Sequence, residues 1–174
     1  VNTSFFAFDY NRVDGVFLGV KLDRQHKIYA RKPFQLYGTL GDAFSQKAVR
    51  FQLGVDKFWG DEFRFSLGGE LHDLTFTPDD WRVGRIENAI PALLFKNDYA
   101  DSFSTEGYSL QASQNLNAYL QLGIQYRADT YASLTNRTRW AVFRPDHEFR
   151  INPAIDDGVM HSVGGQVSRN NVEN

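Results

Sequence analysis

Residues able to do acid–base or metal chemistry are sparse in this chain, and their spacing limits what they can do. Asp146-His147-Glu148 places an imidazole between two carboxylates, the donor types of a metal centre or a proton relay. Neighbouring side chains along an extended segment point apart, so the three do not converge on one ion and read as a polar loop. His72 shares a strand face with Arg64 and Glu70, an arrangement that reads as a polar network lining a lumen. Asp79-Asp80 and Asp156-Asp157-Gly158 offer hard oxygen ligands without the spacing of a calcium loop. Asp and Gly favour turns, which accounts for both. No Ser stands in G-x-S-x-G, no H-E-x-x-H occurs, and no glycine-rich phosphate loop is present. Asn136-Arg137-Thr138 matches a glycosylation sequon. The expectation is a chain that is not an enzyme, with no catalytic, cofactor-binding or metal residue and no cofactor.

Composition narrows the remaining classes. The 174 residues carry a net charge of -2 with both signs interspersed, so no basic stripe is offered to nucleic acid. The absence of cysteine excludes zinc ribbons, redox pairs and disulfide scaffolds. No run of about 18 apolar residues occurs, which excludes a transmembrane helix but not a transmembrane barrel, whose strands need only about 9–11 residues, half of them polar. A mean hydropathy of -0.44 fits either a soluble or a barrel protein. The 15 Phe, 8 Tyr and 3 Trp favour strands and also populate membrane-interface girdles. The chain begins at Val1 with no charged-then-apolar leader, so it is read as processed or as an excerpt.

The elements that must carry these residues announce themselves by alternation at period two. Ala118, Leu120, Leu122, Ile124, Tyr126 and Ala128 share one face, against Tyr119, Gln121, Gly123, Gln125, Arg127 and Asp129. Val49, Phe51, Leu53, Val55 and Trp59 stand against Arg50, Gln52, Gly54 and Asp56, and Phe63, Phe65, Leu67 and Leu71 against Arg64, Ser66, Gly68 and Glu70. Val16, Leu18, Val20 and Leu22 oppose Phe17, Gly19 and Lys21, and Phe34, Leu36 and Leu40 face away from Gln35, Tyr37 and Thr39. Tyr108–Gln114 and Met160–Ser168 are further candidates, and Val1–Tyr10 is an eighth strand or an extension of the first. Each segment therefore has one oily and one wet face. Alternation from Ala118 runs nearly to Leu134, beyond the usual 3–10 residues of soluble strands.

Connection lengths point the same way. Counting from residue 16, the first, third and fifth connections read as short, about Asp23–Lys27, Gly60–Asp61 and Asn115–Asn117, with Gly60-Asp61 suited to a two-residue hairpin turn. The second, fourth and sixth read as longer, about Asp42–Lys47, Pro78–Glu106 and Thr135–Val159. In an up-and-down meander this places the long loops at one end, as outer-membrane barrels do. Inside the longest loop, Ile86, Ile90, Leu93 and Leu94 fall at helical spacing, with Asn88 as cap and Pro91 in the first turn, so a short helix over or in the barrel mouth is expected alongside an irregular-loop alternative.

Several stretches resemble membrane barrels of the bacterial surface-antigen superfamily, whose members include the BamA-type outer-membrane assembly factors. Tyr10-Asn11-Arg12-Val13-Asp14-Gly15 followed by Val16-Phe17-Leu18-Gly19 resembles the "NRVEG…LG" opening of such barrels, with Asp14 where Glu is common. Asn97-Asp98-Tyr99 through Glu106-Gly107-Tyr108 resembles their acidic-aromatic lead into a later strand, and Tyr131-Ala132-Ser133-Leu134 and Asn152-Pro153-Ala154-Ile155-Asp156-Asp157-Gly158 are similar too. The resemblance implies a barrel of about 16 strands, preceded in the assembly factors by periplasmic POTRA repeats. The assembly factors' Arg-Gly-Phe-type motif does not occur here.

The expected fold class is therefore all-β: an antiparallel up-and-down meander over residues 1–174, with about 7–8 strands of a 16-stranded transmembrane barrel. Long loops are expected at about 78–106 and 135–159. Expected partners are the lipid bilayer of the bacterial outer membrane, the rest of the barrel and periplasmic domains of the same protein, with no nucleic acid. The function implied is protein insertion, translocation or anchoring. A passive porin-like channel and a soluble lipocalin-like binder, its apolar faces turned inward, are the alternatives. In the first two, Arg50, Gln52, Arg64, Glu70, Gln121, Gln125 and Arg127 line the lumen.

Overall fold

Alternating side chains need a partner strand on each flank, and the chain supplies them in order. The computed structural model describes residues 5–23, 33–60, 64–117 and 119–169. They form β1 (Phe6–Asn11), β2 (Gly15–Leu22), β3 (Phe34–Ala43), β4 (Ala48–Trp59), β5 (Phe65–Phe76), α1 (Arg85–Phe95), β6 (Phe103–Asn115), β7 (Leu120–Ser133) and β8 (Gly158–Arg169). All eight strands belong to one antiparallel sheet in the order β1 to β8. The fold is thus an all-β up-and-down meander, and the N-terminal candidate is a strand of its own. No ladder joins β1 to β8 among the described residues, so the sheet is unclosed.

The sheet is curled towards its wet face. Tyr37 on β3 and Gln111 on β6 are three strands apart, about 14 Å in a flat sheet at a spacing of ~4.8 Å. Yet the Gln111 amide donates to the Tyr37 hydroxyl at 3.4 Å and to Asp56 on β4 at 3.0 Å. Side chains of such reach meet only across a concave surface. Gly54, the registered partner of Tyr37, makes room: a Cβ there would lie 2.1 Å from Tyr37 Cζ, so the ring rests directly on glycine backbone.

Exposure is inverted relative to a water-soluble sheet. On the oily face Leu53 is 54% and Ile124 59% exposed, and Phe8, Leu18, Val20, Leu36, Leu67, Leu71, Leu110, Val163 and Val167 are exposed too. On the wet face Asp56, His72 and Asp129 are each 1% exposed, and Arg50 and Ser109 are buried as well. The expected separation of Phe51, Leu53, Phe65, Leu67, Leu120, Leu122 and Ile124 from Arg50, Gln121 and Arg127 follows from the strand register.

A meander puts the connections after β1, β3, β5 and β7 at one end, so the loops expected at 78–106 and 135–159 do share an end. They occupy residues 77–102 and 134–157, because β6 starts at Phe103 and β8 at Gly158. Sorting by length is looser than expected. Ala43 pairs with Ala48, and Lys47 takes φ 55° without being glycine, so the connection after β3 is a four-residue turn and not a long one. The connection after β2 runs from Asp23 to Pro33, and its residues 24–32, including most of the expected Asp23–Lys27 turn, lie outside the described residues. The two-residue turn at Gly60-Asp61 is also corrected. Gly60 does take a positive φ of 75°, but the ladder ends on the Trp59–Phe65 pair, whose rings pack 5.6 Å apart; Asp61 and Phe63 lie outside the described residues. After β6, the Asn117 side chain accepts from the Tyr119 and Leu120 amides at 2.8 and 2.9 Å, an Asx turn that reverses the chain.

The expected helix forms, with its caps elsewhere. Gly84 is the N-cap, and the Glu87 carboxylate accepts its amide at 3.2 Å. Asn88 is therefore inside the helix, and Pro91 lies in its second turn, where it removes one backbone donor. Small residues let α1 approach the sheet: Ala89 and Ala92 pack on Tyr10 with Phe149, bordered by Val16 and Leu93. The helix ends at Lys96 in the left-handed region, φ 60°, with its amide on the Ala92 carbonyl at 3.1 Å.

Candidate functional site: a polar concave face and its loop clamp

The concave face gathers its charges into two groups joined by strand register. Asp56, Gln111 and Tyr37 form the first. In the second, His72 on β5 presents Nε2 to Asp129 on β7 at 3.1 Å and Nδ1 to Glu70 at 3.5 Å. Asp129 also accepts from Arg127 Nε at 2.5 Å and from the Tyr131 hydroxyl at 3.1 Å. These donors satisfy the buried Asp129 oxygens, which would otherwise be costly to remove from water. Arg50 reaches Asp73, and its Nη1 lies 3.3 Å from Ser104 Oγ. The guanidinium of Arg64 lies 4.4 Å from the centre of the Phe58 ring.

At the loop end a second construction stands out. The short turn between β1 and β2 is locked locally, with Asn11 Oδ1 accepting the Val13 and Asp14 amides at 3.0 and 2.7 Å. This aims Arg12, which is 0% exposed. Its backbone amide donates to Asp98 Oδ2 at 2.8 Å and Nη1 to the Asp98 carbonyl at 3.0 Å. Nη2 donates to Asp101 Oδ1 at 2.7 Å and to Asn152 Oδ1 at 3.1 Å. The Arg12 carbonyl accepts from the amides of Arg137 and Thr138 at 3.0 and 3.2 Å.

The partners are themselves tied down. Asn152 Nδ2 donates to the Ser102 and Leu134 carbonyls at 2.6 and 2.7 Å. Asp98 Oδ1 accepts from Asn88 Nδ2 on α1 at 2.8 Å. Lys96 Nζ caps the Pro145 and His147 carbonyls at 3.0 and 2.6 Å. Tyr10 donates to the Trp140 carbonyl and meets the Trp140 ring edge-on at 6.3 Å. Segments from one sheet edge (the β1–β2 turn), the middle (residues 77–102) and the other side (residues 134–157) thus meet around one guanidinium.

Asp14 completes the clamp. It accepts from Thr75 Oγ1 at 2.9 Å and from Asn11 Nδ2 at 3.3 Å. Burial raises its pKa above the ordinary 3.8, and the Thr75 and Asn11 hydrogen bonds only partly offset that. A carboxyl with a raised folded pKa binds protons more tightly when folded, so its contribution to stability is full below 3.8 and is lost as pH rises through the folded pKa. The expected result is that the stability difference between wild type and Asp14→Asn shifts in favour of the variant as pH climbs from 4 towards neutrality, a trend seen as urea midpoints across that range. A difference independent of pH would show that Asp14 does not titrate in the clamp.

The residues singled out for chemistry are dispersed. Asp146, His147 and Glu148 are all exposed, and the His147 amide and carbonyl serve the loop backbone and Lys96. Asp79 Oδ2 accepts from the Asp101 amide at 3.1 Å and Asp80 pairs with Arg85 at 3.3 Å, while Asp157 accepts from the Ser133 amide at 2.6 Å. Asn136 bridges the Arg150 carbonyl and the Asn152 amide. No group of three or more His, Asp or Glu among the described residues could hold a metal. Arg12, Asp98 and Asn152 were legible as motif members, but nothing in their spacing marked them as buried or as partners.

A family model described as "Family of unknown function (DUF5686) C-terminal domain" matches residues 1–160. No curated protein and no solved structure matches the chain.

Proposed function

The chain belongs to the family of unknown function (DUF5686) C-terminal domain, and on that footing we propose that it forms part of the wall of a bacterial outer-membrane β-barrel. The convex aliphatic face lies against lipid, the concave polar face lines a lumen, and further strands complete the barrel at the β1 and β8 edges. The observation that carries this reading is the inverted exposure: Leu53 and Ile124 stand open while His72 and Asp129 are sealed. Contiguous exposed apolar surface of this extent marks a membrane or protein contact, and apolar-out, polar-in alternation is the barrel pattern. A lipocalin-like binder needs the opposite facing. Strands of 12–14 residues in β4 to β8 exceed the 9–11 or so that a bilayer requires.

Within that frame the role is anchoring, insertion or translocation of protein, of the surface-antigen type. Its support is that three segments carrying the resemblance, around Arg12, Asp98 and Asn152, meet at one place in the fold. The loops crossing the concave mouth favour this over an open porin-like channel. Alkaline carbonate extraction of membranes containing the full-length protein tests the placement. The protein is expected to stay in the pellet and to be released only by detergent; release by carbonate alone would contradict a membrane-spanning wall.

A further inference from the structure

Resting on that membrane reading, we propose that Arg12 is a latch that keeps the lumen shut at the loop end. Three chain segments that leave the sheet at widely separated strands converge on it. The β1–β2 turn comes from one edge, residues 97–102 follow α1 in the connection between β5 and β6, and residues 134–152 arrive from β7. Because the sheet is curled, segments joined across it bridge the concave mouth instead of running along its rim. The Asp14–Thr75 hydrogen bond from the β1–β2 turn to β5 makes the same crossing.

The construction has the marks of a latch. One guanidinium, itself 0% exposed, satisfies three acceptors on two loops, Asp98 and Asp101 on one and Asn152 on the other. A planar fork with fixed donors suits this, and a flexible ammonium does not. Asp101 also accepts from Arg150 Nη2 at 2.5 Å, so the partly exposed outer carboxylate couples the two loops a second time. The two loops are also joined by Lys96 on the Pro145 and His147 carbonyls, by Asn152 on the Ser102 carbonyl, and by backbone bonds from Val142 and Phe143 to the Leu93 and Leu94 carbonyls, both 2.9 Å. These hold the two loops to each other but do not reach the β1–β2 turn. The Arg12 main chain and Tyr10 also tie the β1–β2 turn to the second loop and to α1, so removing the guanidinium loosens the three-way junction while leaving the cap's parts attached to one another.

The test is single-channel recording of the full-length protein in planar bilayers, with a carbonate-resistant, detergent-extracted sample confirming membrane residence independently. Wild type is expected to stay at the leak level. Arg12→Ala, and the milder Asp101→Asn, which keeps the buried Arg12–Asp98 pair, are expected to raise conductance by about tenfold or more, since an unplugged barrel of porin width encloses water. Wild type conducting as an open pore, or folded variants remaining as tight as wild type, would overturn the latch while leaving the membrane wall standing. Failure of all three to reside in the membrane would remove both.

Discussion

Arg12→Ala is expected to destabilise the folded protein by about 3–5 kcal/mol, the range for removing one partner of a buried ion pair. The magnitude follows from what remains. Asp98, whose side chain is 1% exposed in its pair with Arg12, is left buried without that cation. The Asn152 carbonyl oxygen and Asp101 lose a donor each. Arg12→Lys should recover only a part, because one ammonium cannot fork to Asp101 and Asn152 while also reaching the Asp98 carbonyl. Urea denaturation of the detergent-solubilised full-length protein reads both variants. A midpoint unchanged in Arg12→Ala would mean that the loop cap stands without its central cation.

The second large effect is on the convex face. Ile124→Arg is expected to cost about 2–4 kcal/mol if residue 124 sits near the bilayer midplane, whereas Gln125→Arg, one residue along and facing the lumen, is expected to be near neutral. Both side chains are exposed, so in a water-soluble sheet both changes would fall within about 0.5 kcal/mol of wild type. The comparison turns on facing alone, since the two positions share a strand and a depth. Refolding equilibria in lipid vesicles give the difference, and equal costs at the two positions would contradict a lipid-facing side.

Much of this sheet was legible because alternation is a local signal. The facing of β4 and β7 follows from runs such as Val49–Trp59 and Leu120–Ala128, and no tertiary knowledge was needed to put His72 beside Glu70. Turn lengths were less legible. Lys47 adopts a left-handed conformation that its type does not advertise, which let β3 and β4 zip to Ala43–Ala48. The helix was visible from Ile86 and Ile90, but its cap was misplaced because Gly84 offers no side-chain signal and Glu87 does the capping. The clamp was illegible as a unit. Its bonds join Arg12 to Asp98 across 86 positions and to Asn152 across 140, and no periodicity spans such distances. Only the short motifs around each residue hinted that these loops are more than connectors.

These 174 residues contain no cysteine, so single cysteines placed along residues 121–127 of β7 can be spin-labelled in the full-length protein once any cysteine outside them has been replaced. The decisive measurement is the accessibility of these labels, in lipid vesicles, to molecular oxygen, which concentrates in the bilayer, and to a polar nickel chelate, which stays in water. Labels at Leu122, Ile124 and Tyr126 are expected to favour oxygen, and labels at Gln121, Gly123, Gln125 and Arg127 the chelate, in strict alternation. Equal chelate access at both sets would contradict the assignment of this face to lipid.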